Sequence, residues 1–102
     1  MTNETIIKAV KRICNGKCAL IDYYQSETSR SLYFTISNGN VVSYFRISDH
    51  PTKKSIRSFT VSKNTKTTSV ERYVESTIKK MERKSLYAAF ELIMDNRPAV
   101  YA

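Results

Sequence analysis

The order of apolar and polar residues along the chain predicts a helix, four strands and a helical C-terminal part. Between residues 3 and 14 apolar side chains recur every three or four positions, as in a helix with one buried face, and Gly16 is a typical stop signal just beyond it. Residues 19–25, 31–37, 41–48 and 56–62 are rich in β-branched and aromatic side chains and are predicted strands. Asn38, Gly39 and Asn40 predict a tight hairpin between the second and third strands.

Helical spacing returns in the C-terminal third of the chain. Thr68 and Glu71 have the spacing of a capping box, and an apolar stripe follows from Val70 to Met81. Residues 83–86 contain a candidate break, at which Ser85 would cap a second helix. The sequence therefore leaves open whether residues 69–95 form one helix or two.

Alternation within the strands assigns side chains to opposite faces of a sheet. Leu32, Phe34 and Ile36 share one face with Phe45 and Ile47 of the third strand. The other face carries four largely polar side chains: Tyr33, Thr35, Tyr44 and Arg46. The predicted core consists of Phe34, Phe45, Ile47, Phe59, Val74, Ile78 and Met81.

The economical arrangement of these elements is an α+β fold in a single domain of residues 1–102. Its order is α-β-β-β-β-α, with an antiparallel four-stranded sheet and both the N-terminal and the C-terminal helix packed on one face. A length of 102 residues supports one modest core.

Charge is the strongest compositional signal. Seventeen Lys and Arg against nine Asp and Glu give a net charge of +8, which favours a polyanionic partner and excludes a mimic of DNA. No apolar run approaches the roughly 18 residues of a membrane span, and the N-terminus has no signal-peptide core. We expect no membrane partner and a cytoplasmic location within its cell or host.

The sequence contains few candidate residues for catalysis or for metal binding. Cys14, Cys18 and His50 are too few for a four-ligand zinc site, and the cysteines are expected to be free thiols, so we predict no metal and no cofactor. Only two glycines occur, which excludes a phosphate-binding glycine loop. Ser48, Asp49 and His50 are chain neighbours and point in alternating directions, so they cannot form a triad. We predict a protein that is not an enzyme; a small toxin-type ribonuclease that uses His50 stays open as an alternative.

A basic segment with aromatic neighbours is the better candidate for a binding surface. Residues 50–67 carry five lysines and arginines and no acid, and they follow the strand that carries Tyr44 and Arg46. Tyrosines beside cations on a sheet are typical of surfaces that stack bases while cations hold phosphates. We expect Asp49 to fix the turn or to pair with Arg46. The predicted nucleic-acid or partner-binding residues are Tyr33, Tyr44, Arg46, His50, Lys53, Lys54, Arg57, Lys63, Lys66, Lys79 and Arg83.

One stretch of the chain also resembles a known family. The run Tyr44, Arg46, Ile47, Ser48, Asp49 and His50, then a basic loop, a strand and a Lys-rich helix, is similar to small proteins of phages and mobile elements from Gram-positive bacteria. It resembles the C-terminal part of a type II-A anti-CRISPR protein over residues 41–83. In place of the long basic N-terminal stretch of that protein, this chain has the helix 3–14.

The resemblance implies an inhibitor of the RNA-guided nuclease of type II CRISPR systems. The nuclease holds nucleic acid in a positive channel, which a protein with a net charge of +8 cannot enter as a substitute for DNA. Such a protein would bind the guide RNA or the nuclease complex instead. A general nucleic-acid-binding module is the alternative from the residues alone. The sequence makes no prediction of the oligomeric state.

Overall fold

In the computed structural model, the described residues are 1–27, 30–49 and 57–95, with the side chains of residues 88 and 91–95 left out. The predicted α+β class and the α-β-β-β-β-α order are confirmed. The elements are α1 (Asn3–Cys14), β1 (Ala19–Gln25), β2 (Leu32–Ser37), β3 (Val42–Ser48), β4 (Arg57–Thr60) and α2 (Thr67–Asp95). The open question about the C-terminal third is answered by α2, which is one continuous helix of 29 residues that runs through Ser85.

The sheet is mixed, with the strand order β1-β2-β3-β4. β1 pairs with β2 and β2 with β3 in the predicted antiparallel manner. β4 runs parallel to β3, from the pair Phe45–Arg57 to the pair Ser48–Thr60, so the prediction of an entirely antiparallel sheet is wrong for this strand.

The direction of β4 was not readable from its alternation, which assigns faces and not direction. Eight residues, 49–56, connect β3 to β4. A chain of that length reaches at most about 28 Å, more than enough to return along a four-residue ladder of about 13 Å. The parallel register places Phe59 beside Ile47, so both apolar side chains face the helices.

The core lies between one face of the sheet and the two helices. Every predicted core residue is buried except Phe59, which is half-buried and packs against the cluster. Helix α1 adds Ile6, Ala9, Val10 and Cys14 to the core, and Thr2 caps its start by accepting a hydrogen bond from the Thr5 N–H at 3.2 Å. Phe34 and Phe45 stack across the strands with 5.1 Å between ring centroids.

The predicted capping box is not how α2 begins. The helix starts at Thr67, and the Ser69 N–H already donates to the Lys66 carbonyl at 3.0 Å, so Thr68 lies inside the first turn. Glu71 instead pairs with Arg12 of α1. The Arg12 guanidinium and the Thr68 backbone N–H compete for the Glu71 carboxylate, and Arg12 is the partner that it binds.

Helix α2 is longer than the sheet that it covers. Its 29 residues span about 43 Å, whereas strands of six or seven residues span about 23 Å. Asn40, in the β2–β3 turn, donates from Nδ2 to the Ser85 hydroxyl at 2.9 Å, and the helix continues for ten residues beyond this contact. The molecule is accordingly elongated, at 61 × 28 × 21 Å. Neither helix, over the residues that the structure describes, has an apolar stretch that would cross a bilayer.

Candidate functional site

The face of the sheet that points away from the helices, here called the outer face, carries two cross-strand rows of side chains. In the first row, Tyr24 of β1, Tyr33 of β2 and Arg46 of β3 are register partners. In the second row, Thr35 lies between Asp22 and Tyr44. The alternation in β2 and β3 predicted the outer position of Tyr33, Tyr44 and Arg46, and the structure confirms it.

The first row, here called the Tyr–Arg row, is a stacked column of two tyrosine rings with a cation at its end. The rings of Tyr24 and Tyr33 are nearly parallel, at 12°, with their centroids 4.9 Å apart. The guanidinium carbon of Arg46 lies 5.8 Å from the centroid of Tyr33, within the range of a cation–π interaction. Flat, partly exposed groups in this order are suited to stacking on other planar groups.

Two buried serines fix the orientation of Arg46. Its Nε donates to the Ser31 hydroxyl at 2.9 Å, and its Nη2 donates to the Ser48 hydroxyl at 3.1 Å. The two hydroxyls are also 2.9 Å from each other. The guanidinium plane is therefore held in one place, because a fork of two N–H groups meets two fixed acceptors.

The expected pairing of Asp49 with Arg46 is not formed. The Oδ2 of Asp49 instead lies 3.7 Å from Nε of Arg30. The reason is that the two serine hydroxyls already engage the inner edge of the Arg46 guanidinium.

A groove of about 630 Å³ connects the outer face to cations from β4 and α2. Tyr24, Tyr33 and Tyr44 line it together with Asp22, and Arg57 and Lys84 line it as well. The described pairing of β4 with β3 begins at Phe45. The groove lies along residues 42–45 of β3, next to the start of that pairing. Aromatic rings, two cations and one carboxylate thus border the same space.

The predicted binding residues divide into three sets. Tyr33, Tyr44 and Arg46 come together on the outer face, and Arg57 lines the groove beside Tyr33 and Tyr44. Lys63 lines a separate cavity of about 300 Å³ beside Arg30 and Asp49, Lys79 lines another beside Lys17, and Lys66 and Arg83 are exposed elsewhere. The structure does not gather this second set at the groove. His50, Lys53 and Lys54 lie outside the described residues.

Several contributors were not identified from the sequence. Tyr24 could have been found by extending the β2 register to β1, but a bulge at Ile21 shifts that register between Leu20 and Asp22. Lys84 has no signal beyond its charge, because its position at the groove depends on how far α2 runs along the sheet. Ser31 also has none, whereas Ser48 belongs to the family pattern and shares a strand face with Arg46, so alternation could have found it.

Two groups near the core have perturbed ionisation. Burial raises the pKa of Tyr73, and the nearby charge of Arg57 lowers it in part. Burial also raises the pKa of the Cys14 thiol to about 12; a hydrogen bond with Cys18 and the charge of Cys18 act in the same direction, and Lys17 opposes them. Cys14 is therefore a protonated thiol at neutral pH and not a nucleophile.

Over the ranges that the structure describes, no three Cys, His, Asp or Glu side chains converge in a way that would hold a metal ion. Comparison with known proteins gives no match: no protein-family model, curated protein sequence or solved structure matches this chain.

Proposed function

We propose that this protein is a non-catalytic binding protein for single-stranded RNA, and that the RNA lies on the outer face of the sheet. The observation that carries the proposal is the Tyr–Arg row, in which two parallel tyrosine rings and an oriented guanidinium cross three strands. Single-stranded RNA is the polyanion whose bases are free to stack on such groups.

The exposure of the rings supports base stacking. Tyr24 is 60% exposed and Tyr44 is 66% exposed, so each offers most of its surface to a ligand. Stacking of a base on an aromatic side chain contributes about 1–3 kcal/mol, as judged by substitution to alanine. Two or three such contacts are sufficient for measurable binding of a short oligonucleotide.

The charges around the groove indicate on which side of it the phosphates of the RNA would lie. Arg57, Lys84 and Asp22 line the groove. On this proposal Arg57 and Lys84 bind phosphates, and the carboxylate of Asp22 repels them. Asp22 can instead accept a hydrogen bond from a base N–H or from a 2′-hydroxyl. The net charge of +8 adds long-range attraction for any nucleic acid.

The guide RNA of a type II CRISPR nuclease is the RNA that we propose as the biological partner. This narrower proposal rests on the resemblance of residues 41–83, in which Tyr44 and Arg46 of the family pattern are also outer-face residues. DNA cleavage by a purified type II nuclease with its guide RNA tests it. Addition of this protein to the free guide should inhibit cleavage, whereas full cleavage at saturating protein would reject this partner and leave RNA binding itself open.

The test of the binding site compares two neighbouring tyrosines. Tyr24 belongs to the outer face, whereas Tyr23 stacks on Phe34 of the core side, with 6.1 Å between the ring centroids. In fluorescence anisotropy with a labelled single-stranded RNA, Tyr24→Ala should weaken binding by about 1–3 kcal/mol, and Tyr24→Phe should not. Tyr23→Ala is the matched control and should retain the affinity of the wild type in any preparation that circular dichroism shows to be folded.

Equal losses for Tyr23→Ala and Tyr24→Ala, or none for either, would contradict the proposed face. The same RNA, analysed by gel after incubation, tests the enzymatic alternative. Cleavage that His50→Ala abolishes would replace the binding proposal by a ribonuclease.

A further inference from the structure

The end of α2 beyond the sheet presents an apolar patch. Leu86 and Tyr87 are each 72% exposed and Phe90 is 60% exposed, and the three line a shallow cavity of about 420 Å³. Large apolar side chains that cluster on the surface mark an interaction site more often than isolated ones do. This patch, here called the α2 patch, is not part of the groove or of the outer face.

The α2 patch lies on the side of the helix that faces away from the core. Phe90 follows the buried Met81 by nine positions, which is two and a half turns and therefore half a turn away from the buried side. Arg83, Leu86, Tyr87 and Phe90 have the i, i+3, i+4, i+7 spacing of a single stripe. A stripe of this kind is the surface that one helix offers to another.

The charges along the helix are complementary to themselves in the antiparallel direction. Residues 79–84 contain four bases, Lys79, Lys80, Arg83 and Lys84, and one acid. Residues 85–95 contain two acids, at positions 91 and 95, and no base. If two such helices cross near Tyr87 in opposite directions, position 83 of one lies beside position 91 of the other, and position 79 lies beside position 95.

We propose that the α2 patch is a self-association surface, on which a second copy of this chain binds through its own α2 in the antiparallel direction. The arrangement is a symmetric pair in which the same residues contribute from both copies, as in most homodimers. Because α2 extends past the sheet, the contact lies away from the two positively charged bodies.

The size of the patch predicts a weak dimer. A large side chain of this kind buries about 150–250 Å² when it goes from fully exposed to fully covered. Leu86, Tyr87 and Phe90 are 72%, 72% and 60% exposed, so two copies bury on the order of 600–1,000 Å² in total. That is below the roughly 1,200–2,000 Å² of stable complexes. Association should therefore depend on protein concentration over the micromolar range.

Sedimentation velocity over a series of concentrations tests the proposal. The wild type should shift from monomer to dimer, and Phe90→Lys should weaken association by more than about tenfold, because a charge replaces a central apolar contact. Ser76→Lys is the matched control: it adds the same charge to an exposed site of α2 within the sheet-covered part and should not change association. Circular dichroism checks that each variant is helical.

A charge exchange tests the antiparallel direction. Arg83→Glu should weaken the dimer because it places two acids side by side, and Arg83→Glu combined with Glu91→Arg should restore it. In a parallel pair position 83 lies beside position 83 of the other copy, so Arg83→Glu would only exchange one like-charge pair for another, and adding Glu91→Arg would not restore association. A double variant that does not regain the dimer therefore overturns the antiparallel arrangement. A wild type that stays monomeric would overturn the proposal, and the patch would then bind residues 96–102 or another protein. A dimer that Phe90→Lys leaves intact would overturn it as well.

Discussion

Phe45 shows how much a single position decides in this protein. Its side chain is buried, stacks on Phe34 and meets the edge of Tyr73 at 5.9 Å between ring centroids. Its strand neighbours Tyr44 and Arg46 point to the outer face. The stability of the core and the placement of the candidate site thus depend on the same three consecutive residues.

Phe45→Ala should lower the free energy of unfolding by about 3–5 kcal/mol, since it removes a buried aromatic ring and leaves a cavity. Val42→Ala in the same strand is the control and should cost less than about 0.5 kcal/mol, because Val42 is largely exposed. Urea denaturation measures both. A cost below about 1 kcal/mol for Phe45→Ala would mean that the ring is not part of the cooperative core.

Cys14 makes the stability of the protein depend on alkaline pH. Its pKa is about 12 in the folded chain and has its ordinary value of 9.0 when the chain unfolds. A group whose folded pKa is raised stabilises the fold below the unfolded pKa, and this contribution is lost as the pH rises from 9.0 towards 12.

Cys14→Ala should lose packing at neutral pH but should be less sensitive to alkali. The difference in unfolding free energy between the wild type and Cys14→Ala should therefore narrow between about pH 8 and pH 11, by no more than about 3 kcal/mol. Urea denaturation of both proteins at pH 8 and at pH 11, under reducing conditions, measures this difference. A difference that stays constant would show that the thiol does not titrate differently in the two states.

Helix α2 is one element with two environments. From Val70 to Met81 its buried stripe packs against the sheet and α1, and the Asn40–Ser85 hydrogen bond marks the end of that contact. Leu86, Tyr87 and Phe90 beyond it are exposed. An isolated helical end of about ten residues is marginal in water, so this part depends on what it contacts.

Hydrogen exchange should divide α2 at Ser85. Amides between Val74 and Met81 should exchange only in global unfolding, whereas those of Tyr87 to Phe90 should exchange by local opening at low protein concentration. At high concentration the second group should become more protected if the α2 patch pairs. Uniform protection along the helix in dilute solution would contradict the division.

Over residues 1–27, 30–49 and 57–90, positive charge is spread over several surfaces rather than concentrated in one. Arg57 and Lys84 lie at the groove, whereas Lys79 and Lys63 line other cavities. The net charge therefore explains why a polyanion is attracted, but it does not show which lysines and arginines contact it.

The dependence of RNA affinity on salt separates these two contributions. Each phosphate contact to a single strand adds about 0.7 to the slope of the logarithm of affinity against the logarithm of salt concentration. Arg57→Gln and Lys84→Gln should each reduce the slope by about that amount, and the matched variant Lys79→Gln should leave it unchanged. Equal effects of all three variants would show that the groove is not where the phosphates bind.

The local pattern was sufficient for the element order and for the faces of β2 and β3. Periods of two and of about 3.6 residues follow from backbone geometry alone, so Phe34, Phe45 and Ile47 were assigned to the core without any knowledge of what covers them. The same rule placed Tyr33, Tyr44 and Arg46 on the outer face.

Contacts between distant segments decided the rest. The parallel direction of β4 and the bond from Arg46 to Ser31 join residues that are twelve or more positions apart, and the register that brings Tyr24 beside Tyr33 joins residues nine apart across a bulge. A one-dimensional pattern does not contain such pairings, because many registers bury the same apolar residues equally well. How far α2 runs past the sheet was settled in the same way, since helix length is local but the point at which packing ends is a property of the fold.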